Sequence, residues 1–558
     1  MQINERKQTT GFEPKSVGTL TGIWGFYDFQ SYGAPCNFIE VNPNSPNHIH
    51  SMMTVKYDSG DGATSPSRRI SYSYSSDGGT TWSAAQSDTQ TFLPRAAGDS
   101  VQYRSGFGSL QLYPGNNTAA IVTQKRPLEG GSTQTVFYLD ASEGARNFSE
   151  YATPLYSGGS DQPIHPQNTF TTSGYMAMVG GRVNANSVHK SRMTSPNVFE
   201  DWSSALPVGD ARLTLITSGT NGKVAIITYS STLGGLYYME SDNEGISFGT
   251  NQPIFRTAVL ENDTFAVQST GFDALYVGTD LYVTFAIGEA LYDTAGNFTS
   301  VAVNSKCKVM LWKKSANLSN IVIDKNNAPG TMLNTLSATD RAQYLHSYSL
   351  NFPSIGKTTN GALIIACDYF QQNISDTAGW NYSDILIIAS TNNGTSWTEV
   401  RNVTNTPAID ERYVGISSWN PNGWAYLQFQ EDEVPGTSIQ PEIRLVTRCA
   451  QKFLKYNLAL LDVHEEAFVP KQFLVSQNFP NPFNPITNVK FEISQTEIVT
   501  VKIYDVLGNE VSTLLNRKTM NAGEHFVEWD ASNHSSGIYF YQIQMEHHSA
   551  VKKMVVLK

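Results

Sequence analysis

Charge is scarce in this chain. Only 16% of its 558 residues are Asp, Glu, Lys or Arg, and 38 basic residues stand against 49 acidic ones. That balance supplies no basic stripe to follow a phosphate backbone, so a nucleic-acid groove is not expected. Any anionic ligand would need a local arginine cluster set against a formal net charge of −11. Cysteine is also scarce. Cys36, Cys307, Cys367 and Cys449 lie far apart, with no Cys-x-x-Cys pair, so no metal site is expected and the bland reading is small buried residues. No apolar run reaches the length of a membrane span. Met1 to Thr10 is polar and lacks a signal-peptide core.

Turn formers and aromatics are plentiful: 43 Gly, 27 Tyr and 27 Phe. This suits an all-β, extracellular type of protein. The stretch Ser75-Ser76-Asp77-Gly78-Gly79-Thr80-Thr81-Trp82 follows the alternating run Arg69 to Tyr74. Its chemistry predicts a tight turn. Asp77 accepts backbone N–H groups, Gly79 supplies a positive φ, Ser75 and Thr81 add hydroxyl bonds, and Trp82 buries its ring. The spacing returns at Ser241, Asn243, Gly245, Ser247 and Phe248, and again at Ser390, Asn392, Gly394, Ser396 and Trp397. Asp140 to Phe148 reads as a decayed copy. These copies resemble the Asp-box (bacterial neuraminidase) repeat of sialidase-like β-propellers. In that family the box is a structural turn on the rim, so the resemblance implies a fold more than an activity.

Between the boxes the pattern is strand, short turn, strand, longer loop, strand. Seven such units are read, with a six-bladed ring as the alternative. Stacked around an axis, the small sheets would bury their faces and leave no long free edge. The run Thr19 to Phe29 has no hairpin partner nearby and is expected to complete the last blade. The domain reading is a leader over 1–17, a propeller over 18–460, a linker over 461–470 and a small Ig-like β-sandwich over 471–558.

The last module opens on Gln477-Asn478-Phe479-Pro480-Asn481-Pro482-Phe483-Asn484-Pro485, whose prolines force extended backbone. Val501-Lys502-Ile503-Tyr504-Asp505-Val506-Leu507-Gly508, Trp529-Asp530, Ser536-Gly537-Ile538-Tyr539-Phe540-Tyr541 and Lys552-Lys553-Met554-Val555-Val556-Leu557-Lys558 follow. In that order they resemble the type A C-terminal sorting domain of the type IX (Por) secretion system of Bacteroidetes and related phyla. The resemblance implies Sec export with the leader already removed, recognition by the type IX machinery, and an outer-membrane surface or extracellular location. From Lys471 on, eight basic residues balance eight acidic ones, so the excess of acid lies in the rest of the chain, at 30 against 41.

Ligands of propellers sit at the axis, where the innermost strands begin. On this register the binding candidates are Arg104, His165, Arg212, His346, Glu411 and Arg412, with Tyr103 and Asp99 beside the first. Arginines and histidines at one mouth suit a carboxylate or sulfate. The sialidase resemblance implies an arginine triad, for which Arg104, Arg212 and Arg412 are the available positions. The family's Arg-Ile-Pro motif is absent, however: Arg69-Ile70 is followed by Ser71. Neither the Tyr–Glu pair nor the acid Asp can be placed, so no catalytic residue is assigned. No cofactor is expected. Asp58-Ser59-Gly60-Asp61-Gly62 has the ligand chemistry of a structural calcium site but reads more simply as a turn. The sequence favours a non-catalytic binding or scaffold propeller for extracellular glycans or proteins, with self-assembly open. A sialidase-like glycoside hydrolase is the alternative.

Overall fold

The computed structural model describes residues 17–26, 30, 38–56, 67–83, 91–93, 103–128, 131–207, 213–232, 234–260, 263–302, 305–334, 348–377, 379–436, 446–461, 474–475, 477–478, 480, 481–493, 497–520, 523–545 and 549–558. Nearly all of the leader and of the proposed linker lies outside them. The chain divides into two units, one ending at Val463 and the other starting at His464.

Among the described residues the first unit forms seven sheets, each of four strands or more, and no α-helix. In chain order their innermost strands are Ile39–Val41, Tyr103–Leu112, Ile164–Phe170, Thr214–Ser218, Asp263–Val277, Leu350–Thr358 and Asp410–Ile416. Each innermost strand lies against the next, and Asp410–Ile416 lies against Ile39–Val41. The sheets therefore follow one another in a closed β-propeller. A strand between two neighbouring sheets is covered on both faces, so it does not alternate. Ile49–Val55 is buried at every position, His50, Ser51 and Thr54 included.

The orphan strand behaves as expected. Thr19–Gly25 pairs antiparallel with Cys449–Asn457, so the seventh sheet is built from both ends of the unit. Ile23 packs there with Met53, Val55 and Cys449. The third strand of the seventh sheet is Cys449–Asn457, which carries Gln451, Lys452 and Lys455 and lacks the apolar run that marks other strands.

The three boxes fold alike. Ser75 Oγ takes the amide of Gly79 (2.9 Å) and donates to Asp77 Oδ1 (2.9 Å). Asp77 in turn accepts the amide (2.9 Å) and hydroxyl (2.6 Å) of Thr81. The aspartate thus reaches four residues ahead. Asn243 and Asn392 take the amides of Ser247 (2.9 Å) and Ser396 (2.8 Å) in the same way. The Thr81 bonds hold the Asp77 carboxyl down to about 2. Each box glycine is left-handed, with φ of 87° at Gly79, 79° at Gly245 and 81° at Gly394. The decayed copy keeps the pattern: Asp140 accepts the amides of Arg146 and Asn147, and Gly144 has φ 69°.

The second unit is a β-sandwich. Leu474–Val475, Ile486–Ile493 and Gly523–Asp530 form one sheet. Glu510–Met520, Glu497–Tyr504, Gly537–Gln544 and Ser549–Val556 form the other. Val489, Phe491 and Trp529 from the first meet Val501, Ile503, Tyr541 and Met554 from the second in one core. The proline run explains itself here. It lies along the last strand: Phe483 N donates to Val555 O (3.0 Å), Leu557 N to Phe483 O (3.0 Å), and Asn481 Oδ1 accepts Val555 N (2.8 Å). The Phe483 ring turns inward against Trp529, 5.6 Å between centroids. The bonds from Asn481 and Phe483 cover an exposed sheet edge that would otherwise pair with another chain.

Candidate functional site

The innermost strands carry a shared irregularity near the end where they begin. Pairing slips between Gly106 and Ser109, Ile164 and Gln167, Val267 and Phe272, Asn351 and Ser354, and Arg412 and Gly415. In four of these bulges an aromatic or imidazole residue takes a positive φ: Phe107 (54°), His165 (53°), Phe352 (44°) and Tyr413 (58°). A bulge removes backbone amides from the ladder and turns its side chain aside. Here side chains of the preceding sheet take such amides. Thr54 Oγ1 accepts Phe107 N (3.1 Å), Asp273 Oδ2 accepts Ile355 N (3.0 Å), and Asp368 accepts Tyr413 N (2.8 Å) and Val414 N (3.1 Å). Burial pushes the Asp273 carboxyl up to about 6 and that of Asp368 to about 7, against the pull of these same bonds. These buried carboxyls are staples between sheets.

Four of the six sequence candidates are among the described residues. Arg104, His165, Glu411 and Arg412 each lie within the first three residues of an innermost strand. Arg212, His346 and Asp99, and the segment Asp58 to Gly62, lie outside the described residues. Tyr103 and Arg104 open the second sheet, half-buried. Arg126, exposed, is the cross-strand neighbour of Arg104, and Lys125 Nζ sits 4.2 Å from the centroid of the Tyr103 ring and 2.6 Å from Glu150. His165, also half-buried, opens the third sheet and packs its ring on Phe107, 5.2 Å between centroids. The guanidinium of Arg68 covers Phe107 at 5.2 Å, and its Nε bonds Ser105 O (2.9 Å).

The seventh sheet opens differently. Asp410, Glu411 and Arg412 are at most 3% exposed. Asp410 accepts the amides of Ser383 (2.8 Å) and Gly436 (3.1 Å), and Arg412 Nη1 lies 4.0 Å from it. The Arg412 guanidinium also lies over the rings of Tyr413 (5.3 Å) and Phe370 (5.7 Å). Glu411 takes the Thr406 hydroxyl on one oxygen. Burial, reinforced by Asp384, Asp410 and Glu431, pushes its carboxyl up to about 9. It is therefore protonated at neutral pH. Asp384 is held by Gln371 (2.9 Å), Asn402 (2.8 Å) and the amide of Thr406 (3.0 Å). The mouth thus has a basic and aromatic part on the second and third sheets and a buried carboxyl part on the sixth and seventh. Sequence reasoning missed Arg126, Lys125 and the stapling aspartates, because they stand on second strands or mid-strand. Among the described residues no group of three or more His, Cys, Asp or Glu is arranged to hold a metal ion. Cys307, Cys367 and Cys449 are buried free thiols.

The second unit carries its address in full order from Gln477. Residues 477–557 match the secretion system C-terminal sorting domain. With this sorting domain the protein is exported by the type IX system to the cell surface or the extracellular space. No helix among the described residues is long and apolar enough to cross a membrane. No curated protein matches the chain by sequence. Among solved structures, a PL25 ulvan lyase bound to -[GlcA(1-4)Rha3S]- is similar over 78% of this chain and 96% of its own, with TM-score 0.42 and 8% identity. The polysaccharide lyase Uly1 is similar over 77% and 93%, with TM-score 0.41 and 10% identity. A Hadza microbial sialidase is similar over 78% and 69%, with TM-score 0.36 and 11% identity. Likenesses this low carry no activity across to this chain.

Proposed function

We propose that the ring of this exported protein is a non-catalytic binding module for extracellular polysaccharide bearing carboxylate or sulfate groups. One contrast carries the reading. Where the innermost strands of the second and third sheets begin, Tyr103, Arg104, Lys125, Arg126 and His165 reach the surface, whereas Asp410 and Glu411, where that of the seventh begins, are sealed and bonded internally. A guanidinium offers a planar two-pronged fork to a carboxylate or sulfate, and an aromatic face stacks on a sugar ring. Sealed carboxyls cannot reach a glycosidic oxygen. Titration calorimetry with uronic-acid and sulfated polysaccharides tests the reading. Arg104→Ala and Arg126→Ala are each expected to weaken binding about tenfold, the loss of one charge-assisted contact. If the unmodified protein binds no acidic polysaccharide, the proposal fails.

A glycoside hydrolase is the second reading, and Glu411 is what favours it. A carboxyl that keeps its proton at neutral pH has the state an acid catalyst needs, and Glu411 would have to be uncovered to meet a glycosidic oxygen. It predicts release of reducing ends from a polysaccharide, abolished by Glu411→Gln. Binding without such release favours the first reading.

A further inference from the structure

We infer that the outward face of the sorting domain's four-stranded sheet, with the hairpin tip Asp505 to Gly508 at its end, is where a folded protein subunit of the export machinery grips the chain. Register defines the face. Tyr504 stands beside Phe540, and Phe540 beside Lys553; Ile538 stands beside Val555 in the next row. The neighbours of these residues along each strand, Ile503, Tyr539, Tyr541 and Met554, point into the core, so this set points out. The tip follows directly on Tyr504. Val506 is 64% exposed and Leu507 83%, the highest value among the exposed large apolar residues.

Three observations favour a docking role. Among the described residues, seven of seventeen exposed large apolar side chains belong to the second unit, which holds only 95 residues of 558. Such concentration marks an interaction surface. The tip is also rigid. Asp505 Oδ1 accepts the amides of Leu507 and Asn509 (2.9 Å each), and Asn509 Nδ2 returns to Oδ2 (3.0 Å). Two large apolar side chains are thus presented on a fixed turn, at little entropic cost to a partner. Finally, two other modes of recognition are weakened. Eight basic residues balance eight acidic ones from Lys471 on, so long-range charge gives little steering. Bonds from Asn481 and Phe483 cover part of the edge of the last strand, which hinders strand addition there.

The test uses the full-length protein, expressed in a bacterium that carries a type IX system. The double variant Val506→Asp/Leu507→Asp is expected to reach the surface or medium at least tenfold less than the unmodified chain. Its purified form should melt at an unchanged temperature. Val259→Asp, at a 70% exposed site on the ring, should export normally. Leu507→Ser covers the event that the double variant melts early, and should still lower export severalfold. Normal export of a stable tip variant overturns the proposal. So does a chain that dimerises in light scattering, becomes monomeric in the tip variant and exports unchanged, because the face would then join two copies.

Discussion

A Cβ placed on Gly79 would fall 2.1 Å from Cε1 of Phe453. Gly79 belongs to the box turn of the first sheet and Phe453 to the third strand of the seventh, so the turn rests on the preceding sheet. Trp82 packs on the same ring at 5.4 Å. Gly144 repeats the arrangement against Tyr74 (2.3 Å) and Gly394 against Leu311 (2.8 Å). Gly245 is looser, with Ala177 at 3.5 Å. Forcing a side chain into a packed contact costs about 1–3 kcal/mol and the left-handed backbone about 1–2 more, so Gly79→Ala should lose about 2–5 kcal/mol. Gly245→Ala bears only the backbone term and should lose about 1–2 kcal/mol. Urea unfolding of both variants separates the terms; equal losses would refute the close approach.

Closure of the ring rests on a short strand. Ile23 is 1% exposed, Thr21 Oγ1 reaches Gln451 O (3.2 Å), and Ser73 Oγ reaches Thr21 O (2.7 Å). Truncation of a large buried aliphatic side chain costs about 2–5 kcal/mol. Ile23→Ala should therefore lower the melting temperature and promote proteolysis within the seventh sheet first. A variant as stable as the unmodified protein would show that the closing strand contributes little.

Glu411, Asp368 and Asp273 rise from ordinary carboxylate values to about 9, 7 and 6, and Glu40, buried beneath Ser417 and Ser418, rises to about 8. A carboxyl whose folded pKa is raised holds its proton more firmly when folded. Its contribution is complete below the unfolded pKa of about 4 and is lost as pH climbs through the folded value. Stability should therefore peak on the acid side of neutrality and fall between about pH 5 and 9. Glu411→Gln removes one titrating group and should flatten that fall at its alkaline end. A protein equally stable at pH 5 and pH 9 would contradict the assignment.

The boxes separate geometry from charge. Asn243 and Asn392 do what Asp77 does, with neutral amides: where Asp77 accepts the Thr81 hydroxyl, their Nδ2 donates to the hydroxyl of Ser247 (2.8 Å) and Ser396 (2.7 Å). Asp77→Asn should thus melt with the unmodified protein at any salt concentration. Asp77→Ala, which leaves the Thr81 amide without its acceptor, should melt lower. A clear loss in Asp77→Asn would mean the charge itself matters.

Sheet order, the turn chemistry of the boxes and the pairing of Thr19–Gly25 could be read from residues because each depends on local pattern or on an unmatched strand. The upstream halves of the innermost strands could not. In Asp410–Ile416 the bulge after Arg412 interrupts the period of two, so the alternation becomes visible only from Val414. The same interruption hid the role of Tyr413, whose left-handed backbone leaves no mark in composition. At the mouth, sequence register brought Arg104, His165, Glu411 and Arg412 to one end of their sheets. It could not tell that Glu411 and Arg412 would be sealed, because their burial depends on Asp384, Thr406 and Phe370, which belong to other strands or to the loop before their own.

The seventh sheet joins residues more than 400 positions apart, Thr19 with Phe453. Until residue 457 is in place, every partial chain is an open arc with two unpaired sheet edges, and contacts so distant in sequence form slowly. The sorting-domain match begins at residue 477, 20 positions after that strand ends. A product that stops before residue 457 would lack both the closing strand and the export address.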